Sequence, residues 1–291
     1  MQYNQDVLRR LQLTELEILK DIDRVCRAHG ITYWLDSGTV LGAMRHGGFI
    51  PWDDDIDVGM PRGDYERFLK VAPETLGARY CLSTPHTNPH QSALFAKVML
   101  KGTRFATAET QEAGFDQGIF VDVFPYDSVC PNPRDAKRQR RRCVMWQSIS
   151  YLYHSKHIVV PHGGVLGALE GIACRMAHIA VRVLFTPERI AHGFDSAATM
   201  ANNDKMANEM MAPSYAAIGP YARRLLIPPV EINFEGCSFF APADIEGYLC
   251  TQYGDTWNQL PSEEQRRNHA PKVLEFGSPA NSKSQVILLE H

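Results

Sequence analysis

Two aspartates that alternate with aliphatic residues are the clearest chemical signal in this sequence. Asp55 and Asp57 lie in the stretch "WDDDIDVG" at residues 52–59, where Ile56 and Val58 follow them in turn. Side chains two residues apart on a β-strand point to the same face. The two carboxylates would therefore lie side by side, where their charges repel each other unless a cation separates them. Because carboxylates are ligands for hard divalent cations, this pattern predicts a site for Mg²⁺ or Mn²⁺.

A third acid occurs in a second apolar segment, "GIFVDVFPYD" at residues 118–127. Asp122 is the acid in the apolar centre of this segment, where a buried charge needs a partner. If this segment forms a strand beside the first, Asp122 joins Asp55 and Asp57 at the same cation.

Two other interpretations of the acidic stretch were weighed. A helix–loop–helix calcium site would use Asp53, Asp55 and Asp57, but it requires a glycine where Val58 stands and a glutamate where Asp64 stands. An exposed acidic turn without a metal does not explain an aspartate between two aliphatic residues. Of the remaining acids, Asp53 could also touch a metal, and Asp54 is predicted to hold the loop or to pair with an arginine.

The surrounding pattern predicts the elements that would position these acids. Helical spacing of apolar residues predicts a first helix over 5–28, ended at Gly30, and alternation predicts a strand over 31–36. Glycine and proline predict a loop at 47–51, before the strand at 55–60 that carries the acids. The other predicted elements are a helix at 39–46, a helix at 65–72 capped by Asp64, a hairpin at 93–107 turning at Lys101-Gly102, a strand at 118–127, a mainly helical stretch at 143–226, a hairpin at 230–242 turning near Glu235-Gly236 and a helix at 245–254 capped by Asp244.

Composition and charge limit the class of protein. The chain has 291 residues, of which 44% are hydrophobic and 22% charged, so it can bury a substantial core. A net charge of −3 argues against a nucleic-acid binder. The sequence begins without the apolar segment of a signal peptide, no stretch matches a membrane span, and seven scattered cysteines without a CxxC pattern favour reduced thiols. We therefore expect a cytoplasmic protein.

Three longer motifs closely resemble the LicD family of bacterial phosphocholine transferases, to whose wider group fukutin and fukutin-related protein belong. They are "YWLDSGTVLGAMRHGGFIPWDDDIDVGMPRGDYERFL" (33–69), "GIFVDVFPYD" (118–127) and "YLCTQYGDTWNQLPSEEQRRNH" (248–269). The resemblance implies an α+β, nucleotidyltransferase-like mixed sheet flanked by helices, with a helical insertion in mid-chain. The predicted parts are a catalytic core at 1–130, the insertion at 131–226 and a C-terminal part at 227–291 that completes the catalytic domain.

The resemblance also implies an activity. A CDP-activated donor such as CDP-choline would transfer phosphocholine to a sugar hydroxyl of a cell-surface glycan precursor (teichoic acid, lipopolysaccharide or capsule), and CMP would leave. Asp55, Asp57 and Asp122 would hold the metal, and Asp122 could take the proton of the acceptor. Three alternatives remain open: another CDP-activated donor carrying a polyol phosphate, a nucleotidyltransferase, and a binding module without activity.

Several further residues are predicted to meet the substrate. A turn at Gly38 and Thr39 before a helix offers backbone N–H groups to phosphate. Lys97 lies in mid-strand, where it would contact phosphate or line a solvated hairpin face. The full set of predicted substrate-binding residues is Gly38, Thr39, Arg45, Lys97, Arg104 and His269.

A basic run at residues 134–142 is the strongest local charge. It is either a solvated helix face or a surface that attracts anionic lipid, which would suit a lipid-linked acceptor. A helix within 143–185 could then lie on the membrane, and the protein would act at the inner face of the cell membrane.

Overall fold

The computed structural model describes residues 3–156, 162, 164–266, 268, 269, 271–277 and 286–288. Parts of the predicted regions 131–226 and 227–291 therefore lie outside the described residues. The helices are α1 (Gln5–His29), α2 (Ser37–His46), α3 (Arg62–Thr75), α4 (Ala108–Ala113), α5 (Pro133–His154), α6 (Gly164–Leu184), α7 (Pro187–Ala198), α8 (Arg223–Leu226) and α9 (Ile245–Tyr253). The strands are β1 (Trp34–Leu35), β2 (Asp57–Pro61), β3 (Tyr80–Ser83), β4 (Ala96–Leu100), β5 (Arg104–Ala106), β6 (Phe120–Ser128), β7 (Glu209–Met211), β8 (Tyr221–Ala222), β9 (Val230–Phe234), β10 (Cys237–Ala241), β11 (Val273–Glu275) and β12 (Val286–Leu288).

The main sheet is mixed and has β6 near its centre. Its strands run in the order β1-β2-β6-β4-β3, and β7 and β8 extend it from the end of β6. β2 and β6 are parallel, whereas the other pairs are antiparallel. All nine residues of β6 are buried, as its continuous apolar sequence predicts for a central strand. The predicted α+β class with a mixed sheet is confirmed.

Helix α1 covers this sheet with an apolar stripe and is the longest helix. Its N-terminus is capped by Asn4, whose side chain accepts a hydrogen bond from the backbone N–H of Asp6. It ends at Gly30, whose φ of 58° is the left-handed conformation that glycine adopts most easily. The predicted helix and its stop are confirmed. The predicted turn at Glu235-Gly236 and the Asp244 cap of α9 are confirmed as well.

Strand pairing is where the local prediction fails. The segment 93–107 is not a hairpin, because β4 pairs with β3 and β6 whereas β5 pairs with β11. The chain still turns at Lys101-Gly102, but β6 offers β4 a longer apolar edge than the three-residue β5. The prediction that Asp64 caps α3 is also wrong: the helix begins at Arg62, and the Asp64 carboxylate accepts a hydrogen bond from Arg67.

Other boundaries shift for reasons of pairing. The strand predicted at 31–36 is reduced to Trp34–Leu35, because only these two residues pair with β2. In the stretch predicted as mainly helical over 143–226, the described helices are α5, which already begins at Pro133, then α6 and α7, and α7 ends at Ala198. Beyond it, β7 pairs with the end of β6 and so returns the chain to the main sheet.

A buried ion pair joins the main sheet to this mid-chain region. Arg62, at the start of α3, donates from Nε and Nη2 to the two oxygens of Asp127 at 2.9 and 2.6 Å. Its Nη1 reaches Asp195 of α7 at 3.4 Å, and Asn202 donates to Asp127 at 2.5 Å. Asp127 is fully buried, so this bidentate contact compensates a charge that would otherwise be costly.

None of the helices within the described residues is long and apolar enough to cross a membrane.

Gly59 should be intolerant of any side chain. It lies in β2 opposite Trp34, and a Cβ there would come within 2.5 Å of Trp34 Nε1 and 2.9 Å of Tyr126 Cε2. We expect Gly59→Ala to lower the free energy of unfolding by about 1–3 kcal/mol, measured by urea denaturation. Gly63→Ala is the matched control, because a Cβ at Gly63 meets no atom within 4 Å and alanine favours the helix. Equal stability of the two variants would contradict the crowding inferred at β2.

Candidate active site

Three charged residues form one row across the main sheet. Asp57 of β2 is the register partner of Asp122 of β6, and Asp122 is in turn the register partner of Lys97 of β4. Lys97 Nζ donates to Asp122 Oδ1 at 2.6 Å, and both side chains are nearly buried. The prediction that Asp57 and Asp122 lie on adjacent strands is confirmed. The solvated-face alternative for Lys97 is wrong, because its ammonium group is buried in this ion pair.

The start of α2 is bound to the start of β2. Thr39 Oγ1 accepts a hydrogen bond from the backbone N–H of Asp57 at 2.8 Å, and the carbonyl of Asp57 accepts one from the backbone N–H of Asp36. Asp36 is buried and caps α2, and its carboxylate also accepts hydrogen bonds from the hydroxyls of Tyr126 and Tyr248. Thr39 therefore sets the position of Asp57, a role that the sequence analysis did not predict.

Gly38 brings α2 close to the acidic loop. A Cβ at this position would lie 2.8 Å from Asp53 Oδ2, so only glycine leaves room for that carboxylate. Asp53 thus lies against the first turn of α2, where the helix dipole favours negative charge. The predicted contact of Gly38 and Thr39 with a substrate phosphate stays a prediction.

Asp54 differs from its neighbours because its carboxylate accepts three hydrogen bonds. Its buried carboxylate accepts hydrogen bonds from the Tyr3 hydroxyl at 2.5 Å and from the backbone N–H of His269 at 2.8 Å. His269 Nδ1 lies 3.2 Å from Asp54 Oδ1 and 3.8 Å from Asp55 Oδ2. The hydrogen bond to Asp54, together with the nearby charge of Asp55, raises the pKa of His269 to about 9. Asp54 holds the loop as predicted, with a histidine as its cationic partner rather than the predicted arginine.

Burial raises the pKa of each of the other aspartates in this group. Burial and the charges of Asp55 and Asp122 raise the pKa of Asp57 well above its usual value. Burial and the charge of Asp55 do the same for Asp53, and burial raises the pKa of Asp55. Burial raises the pKa of Asp122 to about 6, against the opposing effect of Lys97. Like charges held together in this way are what a bound divalent cation relieves.

Asp55 lies just outside the strand on which it was predicted. β2 begins at Asp57, and Asp55 is in the extended segment immediately before it. The alternation nevertheless holds, because Ile56 and Val58 are fully buried and Asp55 and Asp57 are partly exposed.

Glu15 is a member of this acidic group that the sequence analysis missed. Its side chain on α1 is fully buried, and among the described residues neither carboxylate oxygen has a hydrogen-bond partner. Burial raises its pKa most, followed by the charges of Asp55, Asp54 and Asp53. The position of Glu15 in the sequence could have indicated its burial, because Glu15 follows Leu8 and Leu11 in the apolar stripe of α1.

Carboxylates are the appropriate donors for a hard cation. Asp54, Asp55 and His269 each offer one atom within 4.8 Å of the others. This triad is nevertheless a poor metal site, because Asp54 already accepts three hydrogen bonds and a raised pKa keeps His269 protonated. Asp55, Asp57 and Asp122 offer carboxylates of the kind that Mg²⁺ or Mn²⁺ prefers, but among the described residues they do not form such a group within 4.8 Å, so their joint role as a metal site stays a prediction.

Two predicted substrate-binding residues are not brought to this group. Arg45 donates to the carbonyls of Trp257 and Gln259 at 3.3 and 3.1 Å, which ties α2 to the C-terminal segment. Arg104 begins β5, opposite Glu275 in a separate sheet. In the described part of the chain neither arginine forms an ion pair with the acidic loop, so a role in binding substrate stays a prediction for both. Lys97 and His269, in contrast, do lie among the acids.

Comparison with known proteins agrees with this arrangement. Residues 30–163 match the family described as LicD/FKTN/FKRP, nucleotidyltransferase domain. Residues 30–163 thus correspond to a LicD-family domain. The resemblance predicted from the motifs is thereby confirmed, and the matched segment contains Asp55, Asp57, Lys97 and Asp122.

Individual relatives match over limited segments. The lipopolysaccharide cholinephosphotransferase LicD of Haemophilus influenzae is 39% identical over 127 residues, which are 44% of this chain and 47% of that protein. The human ribitol 5-phosphate transferase FKRP is 56% identical over 36 residues, 12% of this chain and 7% of FKRP. The mouse ribitol-5-phosphate transferase FKTN is 34% identical over 61 residues, 21% and 13% of the two chains. The matches thus span less than half the length of these relatives.

Removing one of the repelling charges should stabilise the metal-free protein. We expect Asp57→Asn in EDTA at neutral pH to raise the free energy of unfolding by about 1–3 kcal/mol, measured by urea denaturation. The folded-state pKa of Asp57 is raised, so its ionisation costs stability as the pH rises through that value. The difference from the unchanged protein should therefore shrink toward about pH 4.

The control for this measurement is Asp116→Asn, which changes the net charge equally at an exposed position. A loss of stability in Asp57→Asn would show that the row of acids is held together by donors rather than strained by repulsion.

Proposed function

We propose that this protein is a metal-dependent phosphotransferase that moves phosphocholine from CDP-choline to a sugar hydroxyl of a cell-surface glycan, with release of CMP. The glycan would be a teichoic acid, lipopolysaccharide or capsule precursor. One observation carries the proposal: the row that Asp57, Asp122 and Lys97 form across the sheet, with Asp55 beside it, lies within the LicD-family segment. The cholinephosphotransferase name of the H. influenzae relative supports phosphocholine as the transferred group.

The residues of the row have separable roles in this proposal. Asp55, Asp57 and Asp122 would hold Mg²⁺ or Mn²⁺, which when bound neutralises charge on the pyrophosphate of the donor. Lys97 occupies Asp122 Oδ1, so Oδ2 is the oxygen left to accept a proton from the acceptor hydroxyl.

The proposed transfer is a displacement at phosphorus. The acceptor oxygen forms a bond to the phosphorus that bears choline, and the bond from that phosphorus to the CMP oxygen breaks. The proton of the hydroxyl passes to Asp122, and CMP departs as an anion. The protonated His269 and Lys97 are the nearby cations that would favour the charge developing on the leaving group.

Ribitol phosphate is the second candidate for the transferred group. The match to FKRP, 56% identical over 36 residues, is with a ribitol 5-phosphate transferase, and FKTN carries the same activity in its name. The donor would then be a CDP-activated polyol. The same acidic row would serve both donors, so the choice depends on the group that recognises choline or ribitol.

An assay of CMP release tests the proposal. Purified protein is incubated with Mg²⁺, a glycan acceptor and either CDP-choline or CDP-ribitol, and CMP is quantified by chromatography. We expect release from CDP-choline, lost in EDTA, and reduced by about 10³-fold or more in Asp57→Asn because a metal ligand is removed. Asp116→Asn is the control and should retain activity. Release from CDP-ribitol alone would replace the choline assignment, and unchanged turnover in Asp57→Asn would overturn the site.

We also propose that the protein works against an anionic membrane surface on the cytoplasmic side, where a lipid-linked acceptor would lie. Helix α6 presents an apolar stripe to solvent, and Arg175 and Arg182 border it. An amphipathic helix of this kind binds at the boundary of head groups and acyl chains, and basic residues of α5 add attraction for anionic lipid. The exposed residues of the stripe are Leu166, Leu169, Ile172, Met176, Ile179 and Val183, each more than half exposed.

Sedimentation with lipid vesicles tests this surface. We expect the protein to co-sediment with phosphatidylglycerol vesicles more than with phosphatidylcholine vesicles, and Leu169→Asp to reduce the bound fraction about fivefold or more. Leu260→Asp is a matched control, since both leucines are 59% exposed and Leu260 lies outside α6. Equal loss in both variants, or a dimer in the ultracentrifuge that Leu169→Asp dissociates, would contradict a lipid surface.

A further inference from the structure

Aromatic rings lie on the same face of the main sheet as the acidic row. Phe124 follows Asp122 by two residues on β6, so both side chains point to one face, about 6.5 Å apart along the strand. The ring centroid of Phe95, just before β4, lies 4.3 Å from that of Phe124. Tyr215, at the end of the short 3₁₀ helix Pro213–Tyr215, packs on Phe124 with 5.4 Å between the ring centroids. These three rings form an aromatic group beside the acids.

Tyr215 is the exposed member of this aromatic group. Phe95 and Phe124 are buried, whereas Tyr215 is 47% exposed. The backbone that carries Tyr215 is nevertheless held in place, because the neighbouring Ser214 is buried and its hydroxyl donates to the carbonyl of Leu94 at 3.2 Å. The ring of Tyr215 is therefore presented to solvent from a fixed backbone, with one surface available to a ligand.

A small cavity connects Tyr215 with the start of α2. Its lining includes Tyr215 and Tyr221, and also Asp36 and Ser37 at the N-terminus of α2. The backbone N–H of Asp36 donates to the carbonyl of Asp57 at 2.9 Å, so this end of the helix adjoins the acidic row. The cavity volume of about 10 Å³ holds no more than one water molecule. A ligand would therefore contact the outer surface of the Tyr215 ring rather than enter the cavity.

An aromatic ring beside carboxylates is a site that attracts a cation. The face of a tyrosine ring carries partial negative charge and binds ammonium groups, including quaternary ones. The rings on this face of the sheet already contact one cation, since Lys97 Nζ lies 3.8 Å from the ring centroid of Phe120 and 5.2 Å from that of Phe95. Among the described residues no cation lies over the ring of Tyr215. Its exposed surface is therefore open to a cation from a ligand.

We propose that Tyr215 binds the trimethylammonium group of the choline donor through the exposed face of its ring. The inference rests on the proposed function, because it requires phosphocholine as the transferred group. The acidic row would hold the phosphates of the donor through the metal, and the short ethylene link of choline would place the ammonium group over the neighbouring ring. Tyr215 would then determine donor specificity, because ribitol carries no positive charge for the ring to attract.

Binding of three cytidine ligands tests this role without an assay of turnover. The full chain, with Mg²⁺ and without acceptor, is titrated by calorimetry with CDP-choline, CDP-ribitol and CMP. We expect Tyr215→Leu to weaken the binding of CDP-choline about fivefold or more, because the ring is lost while most of the apolar volume is kept. The affinities for CDP-ribitol and CMP should not change. Tyr215→Phe keeps the ring face and should bind CDP-choline nearly as the unchanged chain does.

The matched control is Tyr151→Leu, because Tyr151 is a similarly exposed tyrosine, at 40%, on helix α5. It should bind all three ligands as the unchanged chain does. Tyr215→Gln also removes the ring and places a polar side chain at a half-exposed position, which preserves the comparison if leucine impairs folding. Melting temperatures measured in parallel show which variants are folded.

Three results would overturn the inference and are distinguishable from one another. Equal loss of affinity for all three ligands in Tyr215→Leu would make Tyr215 a residue that stacks on the cytosine base. Unchanged affinity for CDP-choline in that variant would leave Tyr215 a packing residue and the proposed function intact. Failure of the unchanged chain to bind CDP-choline would overturn the choline assignment of the proposed function together with this role of Tyr215.

Discussion

Parallel pairing of β2 with β6 brings two negative charges together inside the protein. Asp57 and Asp122 are register partners, so the spacing of about 4.8 Å between neighbouring strands holds their carboxylates close. Lys97 compensates Asp122 from the other side, but Asp57 has no comparable cation among the described residues. The rest of the site depends on this pairing. Thr39 fixes the backbone of Asp57, and the loop before β2 adds further acids to the same edge.

The clustered aspartates are chemically different because their donors differ. Asp54 receives hydrogen bonds from Tyr3 and His269, and Asp36 receives them from Tyr126 and Tyr248. Such carboxylates are structural: they anchor a loop and cap a helix. Asp57 lacks donors of this kind and keeps a raised pKa. This division separates acids that hold the backbone from acids that are available to a ligand.

Local pattern was sufficient to predict the acids of the sheet. Asp57 and Asp122 are recognisable because each interrupts an apolar strand, and alternation with buried neighbours depends only on adjacent residues. The pairing of β4 could not be predicted in this way, since the choice between β5 and β6 depends on which edge is available in three dimensions. The burial of Glu15 among the acids was missed for the same reason. The sequence alone does not show whether a charged side chain faces a carbonyl, solvent or another charge, because that depends on how distant segments pack.

Asp54 also joins two segments that are far apart in the sequence. Tyr3 reaches it from the segment before α1, and His269 reaches it from the segment after α9. A chain emerging from the ribosome therefore displays the acidic loop long before the histidine that faces it has been synthesised. The central sheet can form earlier, whereas the cation that opposes Asp54 and Asp55 lies 215 residues beyond Asp54 in the sequence. Completion of the site therefore requires that the segment after α9 has been synthesised and packed against the acidic loop.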